Sequence, residues 1–289
     1  MHYKLYKSIL SPQNGMNLYR GCTHGCIYCD SRSKCYHMEH DFEDIEVKSN
    51  AVAMLDDELR RKRTRCMIRT GSMCDPYLHV EEELQLTRQC LEVIHHHGFG
   101  ISLLTKSNRV LRDMDLLLAI HRQARCVVEM TLTTYDEDLC RLVEPQVSTT
   151  KERFAALEAI HDAGIPTVVW ISPILPFIND TRENLYGLLD YCRRAKVTAI
   201  LCYGFGMTLR EGNREYYYAK LNQHFPGLRE KYVHRYGNSY SCSCDNNAEL
   251  MRILRAETAK AGIMCGTEEV FAYIRDFSEA NGTRQLSLF

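Results

Sequence analysis

The sequence predicts an α/β fold in which six strand–helix units form a partial (βα)6 barrel of the TIM type, followed by a small, mainly helical C-terminal region. Two observations predict this fold class. Apolar runs of strand length alternate with helical patterns until about Asn213, where the alternation stops. The chain also has 289 residues, enough to bury a large core. Because six units are fewer than the eight of a closed barrel, we expect one open lateral side.

The predicted strands are short apolar runs that each end in a loop. They cover residues 16–20, 66–70, 101–105, 127–133, 167–171 and 198–203. Capping residues mark the helices between them. Helical patterns begin at Ser49 or Asn50 and also cover 81–97, 150–163, 181–195 and, in the C-terminal region, 248–261. Since strand–helix–strand connections are right-handed, consecutive units curl in one direction and form the barrel.

The pattern divides the chain into a barrel (1–212), a helical, cysteine-containing extension (213–284) and a short tail (285–289). Lys and Arg number 36 against 37 Asp and Glu, a net charge of -1, so any contact with nucleic acid must be local. The chain does not start like a signal peptide, and two prolines interrupt its longest apolar stretch, 168–178. We therefore expect a cytoplasmic protein without a membrane segment.

A loop with three cysteines follows the first predicted strand. Its sequence, GCTHGCIYC at residues 21–29, has the spacing CxxxCxxC. Three thiolates on one short loop can bind three irons of a cubane cluster, which leaves the fourth iron open to a substrate or cofactor. Zinc would need further ligands, such as His24 or Cys35, because structural zinc sites normally have four. The place of the loop at the carboxyl end of a barrel strand favours the cluster.

This loop at the start of a six-unit barrel resembles the radical S-adenosylmethionine (SAM) superfamily. The resemblance implies a [4Fe-4S] cluster bound by Cys22, Cys26 and Cys29, with SAM on the open iron and Tyr28 near its adenine. It implies reductive cleavage of SAM to a 5′-deoxyadenosyl radical that removes a hydrogen atom from a substrate. It also implies an electron donor such as flavodoxin or ferredoxin.

Later motifs resemble the group that contains spore photoproduct lyase and its uncharacterised relatives. In order they are CDPY at 74–77, LTK at 104–106, TLTT at 131–134, EP at 144–145, Arg153, GIP at 164–166 and SPI at 172–174. Residues 206–242 look like the uncharacterised relatives rather than the lyase. The resemblance implies action on DNA, in repair or modification. The alternatives are a radical SAM enzyme for a peptide, an RNA or a small molecule, and a non-enzymatic iron-sulfur or zinc protein.

The loop after the second strand carries candidate residues for SAM. Gly71 and Ser72 can bring backbone close to the methionyl amine, and Asp75 can accept a hydrogen bond from it. In the lyase, a cysteine of this loop returns a hydrogen atom to the product radical. The matching residue here is Ser72, and Cys74 lies two residues further on. We expect Cys74 either to donate hydrogen or to line the SAM site.

The next strands carry further candidates. Lys106 ends the third strand as a point charge suited to a carboxylate or a ribose hydroxyl. Thr131 and Thr133 share one face of the fourth strand, so both hydroxyls can point into the barrel. Arg153 opens the next helix and can pair with the SAM carboxylate. The alternative is that both threonines only favour the strand and that Arg153 lies on the helix surface.

A second group of cysteines lies in the C-terminal region. Cys242 and Cys244 form a CxC motif, Cys265 follows the next helix, and His234 lies upstream. This set is compatible with a zinc site or a second iron-sulfur cluster, and a plain loop fits the irregular spacing as well. The other cysteines lie at core-like positions and are interpreted as small buried side chains.

The residues QLSLF at 285–289 resemble the short peptide through which bacterial DNA polymerases and repair proteins attach to the replication sliding clamp. Gln285, Leu286, Leu288 and Phe289 carry this resemblance. Burial of the three apolar side chains, offset by the ordering of the tail, predicts a weak and reversible tether. The alternative is that the tail packs on its own barrel.

Overall fold

The computed structural model describes residues 1–277. Its strands are β1 (His2–Lys4), β2 (Gly15–Met16), β3 (Tyr19–Arg20), β4 (Glu46–Lys48), β5 (Met67–Thr70), β6 (Gly100–Thr105), β7 (Cys126–Thr131), β8 (Thr167–Trp170), β9 (Ala199–Leu201), β10 (Gly206–Thr208) and β11 (Ser241–Ser243). Its helices are α1 (Ala51–Arg61), α2 (Glu81–Leu84), α3 (Leu86–His96), α4 (Met114–Gln123), α5 (Glu137–Val143), α6 (Thr150–Asp162), α7 (Arg182–Arg194), α8 (Asn213–His224), α9 (Leu228–Tyr236), α10 (Asn247–Ala261) and α11 (Thr267–Arg275).

The predicted incomplete barrel is confirmed by a six-stranded sheet in the order β2-β5-β6-β7-β8-β9. Every neighbouring pair in this sheet is parallel. Among the residues described, two smaller sheets accompany it, β1-β4-β3 and the antiparallel pair β10-β11. None of the helices in residues 1–277 combines the length and the apolar character that crossing a bilayer requires.

The first predicted strand, 16–20, is two strands in the structure. Met16 of β2 pairs with Thr70 of the barrel sheet, whereas Tyr19 of β3 pairs antiparallel with Val47 of β4. Between them the Leu18 carbonyl accepts a hydrogen bond from the Lys48 backbone. The chain therefore leaves the barrel sheet after Met16, and the cysteine loop begins from the smaller sheet.

The predicted helix at 81–97 is also divided, at Gln85, whose φ of +48° lies in the left-handed region. The carboxylate of Glu81 is buried and accepts a hydrogen bond from the backbone N–H of Thr87 at 2.9 Å. A carboxylate at this place satisfies a free donor in the first turn of α3 and suits the positive end of its dipole. A side chain from α2 thus caps α3.

The two faces of the barrel strands contact different partners. Ile101, Val128 and Val169 belong to the large core between the sheet and its surrounding helices. Met67 and Val168, on the inner face, pack instead in a cluster with residues of α11. Backbone hydrogen bonds join Met264, just before α11, to Thr198 and Ile200 at the edge of the sheet. The C-terminal extension therefore returns to the barrel and covers part of its open side.

Candidate active site

The cysteine loop is fixed at several points by its backbone. Gly21 has a φ of +87°, and a Cβ there would crowd the Phe42 carbonyl oxygen, so glycine is required where the loop begins. The Cys22 N–H donates to the Phe42 carbonyl at 2.9 Å. The Ile27 N–H donates to the Val143 carbonyl at 3.0 Å. The loop is thus held at both ends before any metal binds.

The three thiols fit a cluster better than a single ion. Cys22 and Cys26 are buried and Cys29 is partly exposed. In residues 1–277 these three sulfur atoms do not form a group within 4.8 Å. Tetrahedral zinc with bonds of about 2.3 Å would place its sulfur ligands about 3.8 Å apart. Wider spacing suits sulfurs that bind different irons, so the donor set fits a [4Fe-4S] cluster with one iron free of protein ligands.

The thiols differ in their surroundings. A hydrogen bond from the Cys74 thiol, against the effect of burial and with help from His24, lowers the pKa of Cys22 to about 6. Burial raises the pKa of Cys26, although the charge of Lys106 opposes this effect. The Lys106 ammonium nitrogen lies 4.0 Å from the Cys26 sulfur. One cation therefore stands beside the negative charge that thiolate ligands bring.

Lys106 itself belongs to a buried network centred on Glu144. Its nitrogen lies 3.8 Å from a Glu144 oxygen and 5.1 Å from the centre of the Tyr28 ring. The Tyr28 hydroxyl donates to Glu144, and the Arg153 guanidinium pairs with the same carboxylate at 2.5 Å. Burial alone would raise the pKa of Glu144, but the charges of Arg153 and Lys106 lower it overall. The ionised carboxylate thus holds both cations and the tyrosine in place.

Asp75 positions the loop that carries Lys106. Its carboxylate accepts from the Thr105 hydroxyl at 2.7 Å and from the Lys106 backbone N–H at 2.6 Å. It also accepts from the Tyr77 backbone N–H at 2.8 Å. Asp75 therefore joins the loop after β5 to the end of β6.

A cavity of about 620 Å³ opens beside the cysteine loop. On one side its wall includes Cys29, Tyr28 and Lys106. On the other side lie the aromatic rings of Trp170 and Tyr203. The remaining wall is rich in hydroxyl groups and comes from both barrel and extension: it includes Ser31, Ser72, Ser172, Thr208, Ser241 and Ser243. The volume is in the range that holds a cofactor or drug-sized ligand.

Comparison with known proteins assigns this arrangement to a family. The model of the radical SAM superfamily matches residues 16–189, more than half of the chain. The chain belongs to the radical SAM superfamily. It is therefore an enzyme of this superfamily, whose members use a [4Fe-4S] cluster and SAM.

Its relatives are themselves uncharacterised. A protein of Mycobacterium tuberculosis is 32% identical over 227 residues, which are 76% of this chain and 66% of that protein. A protein of Methanocaldococcus jannaschii is 32% identical over 167 residues, 57% of this chain and 61% of that protein. The matched part is less than two thirds of the length of each of these relatives.

Solved structures of spore photoproduct lyase share the fold. The lyase complexed with dinucleoside spore photoproduct superposes with a TM-score of 0.60, over 86% of this chain and 74% of that chain. A mutant of the lyase with bound AdoMet and the same dinucleoside has a TM-score of 0.58. Both are 16% identical to this chain. The predicted resemblance to the lyase group is confirmed at the level of the superfamily and the fold.

The predicted SAM-binding residues of this radical SAM chain lie in two places. Tyr28, Ser72 and Lys106 line the cavity. Gly71 lies behind the wall, with a φ of +92° and so close to Leu104 that a Cβ would overlap its carbonyl oxygen. Asp75 lies behind it as well, with its oxygens occupied by the loop. Gly71 and Asp75 therefore support the cavity wall from behind and do not line it.

The threonines and the arginine also lie behind the cavity wall. The Thr133 hydroxyl is 3.3 Å from Glu144, and the Thr131 carbonyl accepts from Arg153 at 2.7 Å. Arg153 has no exposed surface, so it is neither a surface residue nor placed on the cavity wall. Its buried partner is Glu144. A buried guanidinium requires such a partner, because an unpaired charge there would be strongly unfavourable.

Cys74 lies beside the first cysteine of the loop. Its thiol is 2.9 Å from the Gly21 carbonyl oxygen and hydrogen-bonds to Cys22. It is buried, and burial raises its pKa. In the described part of the chain Cys74 does not line the cavity, whereas Ser72 does. Its expected role as a hydrogen donor stays a prediction.

The cysteines of the extension are not brought together. Cys242 packs in a cluster with Tyr217 and Tyr232. The Cys244 thiol faces the Ile174 carbonyl. Cys265 lies close enough to Cys192 and Cys202 for its charge to add to burial in raising the pKa of both thiols. In residues 1–277 the three do not form a group of ligands within 4.8 Å, so they are too far apart to bind a single zinc ion together. The tail residues Gln285, Leu286, Leu288 and Phe289 lie outside the described residues.

One buried charged residue of the barrel, Glu129, was not predicted. Glu129 lies in the middle of β7 and is buried inside the barrel. Its carboxylate accepts hydrogen bonds from Ser102 and, at 2.6 Å, from the indole N–H of Trp170. A charged residue within the apolar run 126–130 is a signal that the sequence contains. That run does not predict its partners, Ser102 on β6 and Trp170 on β8.

Proposed function

We propose that this radical SAM enzyme acts on nucleic acid, in the repair or modification of DNA. The observation that carries the proposal is the cavity between the cysteine loop and the aromatic pair Trp170 and Tyr203, because flat aromatic rings suit the faces of bases. Two findings support it. The motif order resembles the lyase group, and solved structures of the lyase hold a dinucleoside. In this proposal, 1–212 carries the chemistry, and Ser241, Ser243 and Asn247 of the extension complete the substrate cavity.

Cys22, Cys26 and Cys29 would hold the [4Fe-4S] cluster, and Tyr28, Ser72 and Lys106 would contact SAM. When bound, these groups supply the one-electron chemistry that removes a hydrogen atom from a substrate. Lys106 offsets negative charge beside Cys26, and Glu144 keeps Lys106 and Tyr28 in their positions. A fixed charge in a buried wall acts without reorganisation during the reaction.

The cluster assignment is tested with anaerobically reconstituted protein. We expect about four irons per chain and, with dithionite, cleavage of SAM to 5′-deoxyadenosine. Cys26→Ala should lower iron content and abolish cleavage. Cys35→Ala is the matched control, because this cysteine is exposed and its sulfur contacts Arg210 at 3.3 Å instead of the loop thiols. Cleavage that persists in Cys26→Ala would contradict the assignment.

The substrate class is tested by the hydrogen atom that the enzyme removes. Deuterated DNA, RNA, peptide and small-molecule fractions are supplied separately with unlabelled SAM and reductant. The 5′-deoxyadenosine should gain deuterium, measured by mass spectrometry, with the DNA fraction. Deuterium that comes from another fraction would assign the enzyme to one of the alternative substrates.

We also propose that QLSLF at 285–289 tethers the enzyme to the bacterial replication sliding clamp. The match of Gln285, Leu286, Leu288 and Phe289 to the clamp-binding peptide supports this. Deletion of 285–289 should remove clamp binding in a calorimetric titration and leave SAM cleavage unchanged. A full-length chain that does not bind the clamp would refute the tether without affecting the enzymatic proposal.

A further inference from the structure

Two arginines lie together at the open side of the barrel. Arg69 of β5 and Arg275 of α11 line a second cavity, of about 380 Å³, with Gln13 and Asn14. Within residues 1–277 neither arginine forms an ion pair with a carboxylate. Burial, together with the neighbouring charge of Arg275, lowers the pKa of Arg69. Two like charges side by side are unfavourable unless an anion joins them.

Within residues 1–277, most of the donors of Arg69 have no side-chain partner. Its one hydrogen bond to a side chain in the described chain, to Gln13, is long at 3.4 Å. A guanidinium has five N–H donors in a planar fork that matches the oxygens of a phosphate. Arg275 lies against the ring of Phe271, 4.9 Å from its centre. The cavity thus presents two guanidinium groups and two amide side chains to one small volume.

Beside this cavity stands a group of three aromatic rings. The centres of Trp170 and Tyr203 are 6.0 Å apart, and each lies within 6.2 Å of Phe271. The indole of Trp170 is fixed by its hydrogen bond to Glu129. The side chain of Tyr203 is 58% exposed and lines the larger cavity. Trp170 stands edge-on to the other two rings, and Tyr203 is an exposed member of this aromatic platform.

Tyr203 connects the two features. It lines the larger cavity, while the charges of Arg275 and Arg69, which line the smaller one, both act on its phenol. An aromatic platform next to a pair of guanidinium groups is complementary to a nucleotide unit, whose flat base and anionic phosphate are adjacent. Base stacking on aromatic side chains and phosphate contacts from arginine are the usual means of binding single strands.

We propose that the open side of the barrel binds one unpaired nucleotide unit of the substrate, with its base on Tyr203 and Trp170 and its phosphate on Arg69 and Arg275. This inference rests on the proposed function and names the residues that recognise the substrate. A paired base could not reach the platform without leaving its stack, so the preferred ligand is single-stranded or locally unpaired.

Trp170 makes the test direct, because it is the only tryptophan in the 289-residue chain. Cluster-loaded enzyme with SAM is titrated with a short oligonucleotide of unpaired deoxythymidines. Its tryptophan fluorescence should fall as a base stacks on the platform. An oligomer of the same length without bases should bind through its phosphates and leave the fluorescence unchanged. Inorganic phosphate should weaken only the part of the binding that comes from Arg69 and Arg275.

Variants separate the two parts of the site, with affinity measured by anisotropy of a labelled oligonucleotide. Tyr203→Ala should weaken binding about tenfold, and Tyr203→Phe should retain it. The double variant Arg69→Gln/Arg275→Gln should also weaken binding about tenfold and reduce the dependence of log K on log salt by about 0.7. Arg122→Gln, at an exposed position of α4, is the control and should bind like the wild type.

The outcomes distinguish this inference from the function on which it rests. If the wild type binds the oligonucleotide but Tyr203→Ala and the double arginine variant bind equally well, this inference is overturned and the nucleic-acid function stands. If the wild type cleaves SAM but binds no oligonucleotide in either form, both are overturned. Weaker binding confined to these variants, with unchanged iron content, supports the site.

Discussion

Two buried glutamates, Glu144 and Glu129, have opposite surroundings. Glu144 lies beside the cysteine loop between two cations, Arg153 and Lys106. Glu129 lies deeper in the barrel and accepts hydrogen bonds from the neutral groups of Ser102 and Trp170, with only the more distant charge of Arg69. Both are at most 3% exposed. The charge of Glu144 is therefore compensated by two cations, whereas the charge of Glu129 is compensated only weakly.

The pKa values follow from this difference. Burial would raise the pKa of both carboxyl groups. The charges of Arg153 and Lys106 reverse that effect for Glu144, whose pKa is lowered. Hydrogen bonds from Ser102 and Trp170 do not reverse it for Glu129, whose pKa is raised. An acid with a lowered pKa thus stands next to the cluster ligands, and an acid with a raised pKa supports the aromatic platform.

Replacement of Glu144 is expected to have the largest effect. Glu144→Gln leaves two buried cations without a counter-ion, which should lower the free energy of unfolding by about 3–5 kcal/mol. Urea unfolding followed by circular dichroism, under anaerobic conditions and at matched iron content, measures this loss.

Glu129→Gln is the matched control for that experiment. An amide has nearly the same shape as a protonated carboxyl group and can still accept from Trp170 and Ser102. We expect a change within about 1 kcal/mol. Equal losses of unfolding free energy in the two variants would show that Arg153 and Lys106 do not make Glu144 more important for stability than Glu129.

The cysteine loop can be predicted from sequence because its three ligands lie within residues 22–29. The barrel follows from the alternation of strands and helices. The Glu144 network cannot be predicted in this way, since Tyr28 and Glu144 are 116 positions apart and meet only through the barrel. Arg153 shows the limit: its residue type suggests an anion partner, but not that the anion belongs to the protein itself.

The same reason explains the differences in the predicted elements. Residues 16–20 have the length and pattern of one strand, and no local signal indicates that Met16 and Tyr19 pair with different sheets. Cys74 was interpreted from its place in the sequence beside Ser72, whereas its thiol contacts the Gly21 carbonyl and Cys22. Local patterns specify element types, and partners distant in sequence decide where side chains face.

The pH dependence of stability gives a second, smaller test. Because the folded pKa of Glu129 lies above its unfolded value of about 4.3, folded protein holds the proton longer, and its stability falls as pH rises through the folded pKa. The difference in stability between wild type and Glu129→Gln should therefore fall as pH rises above the unfolded value of about 4.3. The difference between wild type and Glu144→Gln should not fall as pH rises over that range, since the pKa of Glu144 is lowered rather than raised. A constant difference for both pairs would refute the raised pKa.

The smallest expected effect concerns the hydrogen bond between Trp170 and Glu129. Trp170→Phe removes the indole donor and also changes packing, so its loss of stability alone does not measure the bond. In a cycle with Glu129→Ala, which removes the acceptor, the packing term largely cancels and the coupling energy reports the pair. We expect about 0.5–1.5 kcal/mol, measured by urea unfolding. A coupling near zero would mean that neighbouring rings, rather than Glu129, fix the orientation of Trp170. In that case the neutral donors would not be what separates Glu129 from Glu144.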